Sequence, residues 1–316
     1  MLAAGGVAVS LARGPSSLAG RLGGTPLAYV TADLDSHVAA LALDTGEVVR
    51  RIRTGPGPRS IESFQQRIAV VAHTAHGVVT LLDAARHRVR AELERFEEPR
   101  YAAVHPLGAA LVYVTDSVAE EVVTIDAVAG RVLDRARVPG PARHIGVSID
   151  GRTLWTSLGT AAARIAVLDA SNPRRPRLQR LVTAPFPAHD VAFAPDGRTV
   201  WVTSGEERQV ALYRGGVRPS RVLDAGSSPQ HVAFARDKVF VASGDDGTIR
   251  RHRLDGDLVR EARVPVGSYN VTFGWSRLVT PSLADGAVTA LDRNERSWWT
   301  RRVARAAHDA CIVLGP

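Results

Sequence analysis

A degenerate segment returns seven times along this chain at intervals of 39 to 46 residues, and that repeat limits the fold more than any other feature. Its fullest copy is HDVAFAPDGRTVWVTSG, His189 to Gly205; QHVAFARDKVFVASGDDG from Gln230 and RHIGVSIDGRTLWTSLG from Arg143 are close variants. The polar residues heading the copies are Arg59, Arg100, Arg143, His189, Gln230, Tyr269 and His308. A period of roughly 40 to 45 residues is the spacing of propeller blades. One such unit is a small sheet that cannot bury both faces alone, so consecutive copies must stack.

The unit at Ala188 shows how a blade is written. His189 to Ala194 alternates polar and apolar and runs into the turn Pro195-Asp196-Gly197. Thr199 to Thr203 is rich in β-formers, Gln209 to Tyr213 follows a polar turn, and Ser220 to Leu223 follows Gly215-Gly216. Four short strands joined by such turns make one antiparallel blade, numbered here from the innermost strand outward. The third strand closes on an aspartate at Asp44, Asp83, Asp126, Asp169 and Asp292, where a short acceptor caps its own turn.

The ends of the chain show how the ring closes. The repeats open with a second, third and fourth strand, Leu27 to Arg53, lacking a first strand. They finish with a lone first strand, His308 to Leu314. Pairing these pieces completes the first blade and removes the open sheet edges. The fold expected is all-β: a seven-bladed β-propeller of four-stranded antiparallel blades, a single domain over residues 27–316.

Several second strands carry a tyrosine-valine-threonine signature: Tyr29-Val30-Thr31, Tyr113-Val114-Thr115 and, with tryptophan, Trp201-Val202-Thr203. With the turns Asp150-Gly151 and Asp196-Gly197, this resembles the YVTN-type (YncE-like) β-propeller repeat family. The asparagine usual after the threonine is replaced by Ala32, Asp116 and Ser204. The resemblance implies a propeller whose relatives include binding proteins, scaffolds and some enzymes, lactonases among them. It transfers no catalytic role to any residue here.

Composition bears on partners and compartment. Cys311 is the single cysteine, which excludes an intramolecular disulfide and a multi-cysteine metal site. The net charge of +8 comes from a chain with one lysine, Lys238. Its arginines gather on fourth strands and adjoining turns, where charge blocks edge-to-edge pairing, and they are not interleaved with aromatics. Nucleic acid is therefore not an expected partner, and a monomer is expected. Residues 1–26 lie outside the repeat and contain an apolar run, Leu2 to Ala12, too short to span a bilayer. Two readings stay open for that leader: the remnant of an export signal, giving an extracytoplasmic location, or a disordered segment.

In a propeller, the loops entering the first strands meet at one mouth of the central channel. The heads of the repeats form one polar ring there, and the next residues form another: Ser60, Tyr101, His144, Asp190, His231, Asn270 and Asp309. Four of the ten histidines fall in these fourteen places. The candidate ligand-binding set is Arg59, Arg100, Tyr101, Arg143, His144, His189, Asp190, His231, Tyr269, Asn270, His308 and Asp309. His144, Asp190 and His231 pair imidazole with carboxylate, a donor set suited to a divalent metal; no organic cofactor is expected. Acids of the loops after the second strands, among them Asp33, Asp35, Asp116, Asp245, Asp246 and Asp285, should form an acidic rim.

No GxSxG elbow, P-loop, GxGxxG or CxxC is present. The expected function is therefore a non-enzymatic binding or scaffold protein, engaging a small polar ligand or a protein partner at this face. The alternative is a lactonase-like hydrolase or a lyase using the channel-mouth histidines and aspartates.

Overall fold

Valine-rich segments such as Leu27 to Ala32, Leu111 to Asp116 and Lys238 to Ser243 have side chains buried on both faces, because each lies between neighbouring sheets. The computed structural model describes residues 23–159 and 161–316, so nearly all of the expected leader lies outside the described residues. Among them the strands assemble into seven four-stranded antiparallel sheets arranged as propeller blades. In the fullest repeat the strands are Val191–Phe193, Thr199–Thr203, Gln209–Arg214 and Arg221–Asp224, within two residues of the sequence expectation at every end.

Ring closure follows the sequence expectation. Pro26–Ala32 (β1), His37–Ala42 and Val48–Arg53 form the outer three strands of blade 1. Ala310–Leu314 (β28, the last of the chain) lies on their inner edge, antiparallel to β1 in a register running from Pro26↔Leu314 to Val30↔Ala310. The innermost strands of blades 2 to 7 are Ser60–Phe64, Pro99–Val104, Ala142–Val147, Val191–Phe193, Pro229–Ala235 and Thr272–Gly274.

The core lies between blades. Trp155, Ile165 and Val167 of blade 4 pack with Val191, Val200 and Val202 of blade 5, all buried. Fully burying such a side chain contributes about 1.5–3 kcal/mol, so removing one blade strips apolar cover from two others. The turn aspartates do what their position implied: Asp83, Asp126, Asp169 and Asp292 each accept backbone N–H bonds from residues two to four places on.

The threonine of the signature strand ties this scaffold to the channel. Thr31 Oγ1 donates to the Arg59 carbonyl at 2.8 Å and Thr203 Oγ1 to the Gln230 carbonyl at 2.6 Å. Thr115 makes the same bond to Arg143, and Ser157 makes it to His189 at 2.7 Å. In each case a second strand grips the residue heading the next blade. Thr203 Oγ1 also accepts from the Asp190 N–H at 3.0 Å, and the side chain is fully buried. Thr203→Val keeps the shape and orphans both groups, so it is expected to cost about 1–3 kcal/mol. A lowered denaturant midpoint at unchanged slope is the expected record; an unshifted midpoint contradicts the role.

Among the described residues no helix is long and apolar enough to cross a membrane.

Candidate functional site

Residues three places past each repeat head form a column of mostly small side chains on the inner strands. That column reads Glu62 after Ser60, then Ala103, Gly146, Ala192, Ala233, Thr272 and Cys311. It is small because inner strands nearly touch there: a Cβ on Gly146 would lie 2.3 Å from the Val191 carbonyl oxygen. The inner strands enclose a cavity of about 420 Å³.

The cavity has unlike ends. Ser60, Tyr101, His144, Asp190, His231, Asn270 and Asp309, the second polar ring in full, line one part of it. Val104, Val147, Phe193, Phe234 and Phe273, three positions further along the same strands, line another. The structure thus brings Tyr101, His144, Asp190, His231, Asn270 and Asp309 of the candidate set to one space.

The other candidates stand outside that lining. Arg59, Arg100 and Arg143 cluster beside the polar end, near enough that Arg59 and Arg143 pull the Tyr101 hydroxyl down while burial carries it up to about 12. Burial, then Arg100, Tyr101 and Arg59, set Arg143, whose guanidinium is held below its ordinary range. Arg100 pairs with Glu98. His308 sits 3.6 Å from Asp33 through Nδ1. Tyr269 turns away: its hydroxyl donates to Asp245 at 2.6 Å, and its ring covers Gly244, where a Cβ would fall 2.1 Å from the ring. Tyr269 therefore stands at the rim, outside the cavity lining.

The aspartates of the ring have a bridging task. Asp190 accepts from its neighbour Val191 N–H at 2.8 Å and from Val232 N–H of the next blade at 3.1 Å. Asp309 does the same for Ala310 N–H at 2.7 Å and Ile61 N–H at 2.9 Å. Burial outweighs these bonds, so Asp190 is raised to about 7 and Asp309 to about 8. Glu62, raised by burial to about 7, also lines the cavity. It was not among the candidates, although one acid in a column otherwise of small side chains marks it.

The imidazoles are packed against one another. The His144 ring stacks on Tyr101 at 3.8 Å between centroids and lies 4.1 Å from His189 and 4.9 Å from His231. Burial and neighbouring positive groups hold His144 well below the usual histidine range, and His189 falls to about 3. Ring nitrogens of His144, His189 and His231 lie within 4.8 Å of one another. His189 thus joins His144 and His231 of the expected donor set, and Asp190 Oδ2 lies 3.7 Å from His231 Nδ1.

The acidic rim is largely consumed by its own loops. Asp116 accepts from Glu97, Glu98 and Ala119 N–H groups, Asp246 from Ser227 N–H, and Asp285 from Ala287 N–H. Asp35 pairs with Arg305 at 2.5 Å.

No family model matches the sequence, and no curated protein matches it. Among solved structures the chain is similar to a chain of hydrazine synthase from Kuenenia stuttgartiensis, at a TM-score of 0.62 and 19% identity. The match covers 75% of this chain and 77% of that one. At that identity the likeness shows the fold alone, which is the seven-bladed β-propeller.

Proposed function

We propose that this protein is a binding propeller whose channel takes a small molecule with a polar head and an apolar body. The two-ended cavity supports this reading: hydrogen-bonding side chains at one end, Phe193, Phe234 and Phe273 at the other. Its volume of about 420 Å³ falls within the roughly 300–1,000 Å³ of small-molecule sites. The rim acids engaged within their own loops move weight from a protein partner on the rim to a ligand in the channel. The signature threonines and Asp-Gly turns support membership of the YVTN-type family, within which such a role is at home.

Calorimetric titration with a panel of compounds tests it, each polar head being offered with and without an aryl or alkyl body. Compounds with the body are expected to bind, and Phe234→Ala should weaken them about tenfold, in a protein that stays folded though with a lowered thermal transition. Equal affinity for headgroups lacking the body would overturn the proposal.

One observation favours a second reading, a hydrolase or lyase. Asp190 and Asp309, raised to about 7 and 8, lie where a general acid or base works near neutral pH. Turnover of a lactone panel that is lost in Asp309→Asn would establish that reading in place of simple binding.

A further inference from the structure

Three histidines carry an unused capacity. Both ring nitrogens of His144 lack a hydrogen-bond partner, although the residue is 1% exposed. Nε2 of His189 is likewise buried and unpartnered. Buried polar atoms in folded proteins are nearly always satisfied, and one left open calls for a specific reason. These rings meet: one nitrogen from each of His144, His189 and His231 lies within 4.8 Å of the others.

We propose that His144, His189 and His231 form a binding site for a divalent transition-metal ion of the zinc class. The three rings come from consecutive blades, with His144 and His231 in the second ring of blades 4 and 6 and His189 heading blade 5. Two nitrogens bound about 2.0–2.1 Å from a tetrahedral zinc stand about 3.4 Å apart. The three nitrogens, within 4.8 Å of one another, would have to draw closer to reach that separation. An all-imidazole set suits zinc, copper, nickel or iron and disfavours magnesium and calcium, which take oxygen.

The surroundings are those a metal-binding histidine uses. Asp190 Oδ2 lies 3.7 Å from His231 Nδ1, and both Asp190 oxygens are anchored by backbone N–H groups. A carboxylate that closes on one ring nitrogen when the metal binds would fix the tautomer and leave the other nitrogen to the metal. His231 would therefore bind through Nε2, with Asp190 as a positioning residue. Tyr101, stacked on His144, holds that ring in place. His144 and His231 line the cavity, so three protein ligands leave a fourth position facing it.

The test uses the full chain, freed of metal by a chelator and titrated with Zn²⁺ or Co²⁺ in the absence of organic ligand. One equivalent per chain is expected, with the intense visible absorption of tetrahedral Co²⁺. His189→Ala should weaken binding at least 100-fold, and Asp190→Asn about 10- to 100-fold. Absence of stoichiometric binding, or an unchanged affinity in a folded His189→Ala variant, overturns the site. Zn²⁺ protection of histidines from diethyl pyrocarbonate in the unmutated protein gives a readout that needs no variant; absence of protection also counts against it. The compound panel on metal-free protein tests the ligand proposal separately, so either proposal can fail while the other stands.

Discussion

Deleting residues 308–316 is expected to abolish the cooperative thermal transition and to leave a protein that aggregates. The segment supplies the inner strand of blade 1, whose Cys311, Ile312, Val313 and Leu314 are all buried. Its removal uncovers Tyr29 and Val30, bares the backbone edge of β1, and orphans the Ile61 N–H held by Asp309. A bare apolar edge is a template for pairing with other chains. Circular dichroism melting and gel filtration check the outcome. A deletion protein with an undiminished transition would show that ring closure is not needed.

A permuted chain separates the strand from its place in the sequence. Thr25 and Gly315 already exchange backbone bonds, N–H to carbonyl, at 3.3 and 2.9 Å. Joining residue 316 to residue 23 and opening the exposed turn at Arg293-Asn294 keeps all seven sheets intact. That protein should melt close to the starting one, because exposed turns tolerate new termini.

Trp201→Ala should be the most damaging single substitution, at about 3–5 kcal/mol for a large aromatic removed from a packed core. In a chain of this size that lowers the melting temperature by roughly 10 °C. Trp201 is fully buried between blades 5 and 6, packed with Val210, Leu212, Val239 and Val241 and edge-on to His252 at 5.6 Å. Val232 and Phe234 pack against the same cluster and line the cavity, so the void opens directly behind the proposed ligand wall. Affinity for a bound compound should fall along with stability. Its indole Nε1 has no partner, so Trp201→Phe should cost clearly less. Equal losses for the two variants would show that ring packing is not what Trp201 supplies.

The repeat made the scaffold legible because equivalent positions face equivalent surroundings in every blade. Valines of second strands, turn aspartates and the closing strand all follow from that equivalence. The channel is different, because side chains from seven directions converge there and settle by packing against each other. Nothing in the spacing tells that His189, heading its blade, leans toward His144 and His231 of the flanking blades. Nor does it tell that Asp190 is held by Val191 and Val232, or that Tyr269 lies down on Gly244. Glu62 and the Phe193, Phe234 and Phe273 wall were readable in principle from columns further along the inner strands.

The closure of blade 1 also sets how the molecule yields to force. β1 and β28 are antiparallel, and Pro26 pairs with Leu314, so residues 23 and 316 leave from the same end of the pair. Tension applied between those ends loads the Pro26–Leu314 rung first, then Leu27–Val313, then Ala28–Ile312, one after another. Hydrogen bonds strained in series peel apart, whereas bonds sheared in parallel share the load. The seam that makes the ring continuous is thus also the line that such tension opens first.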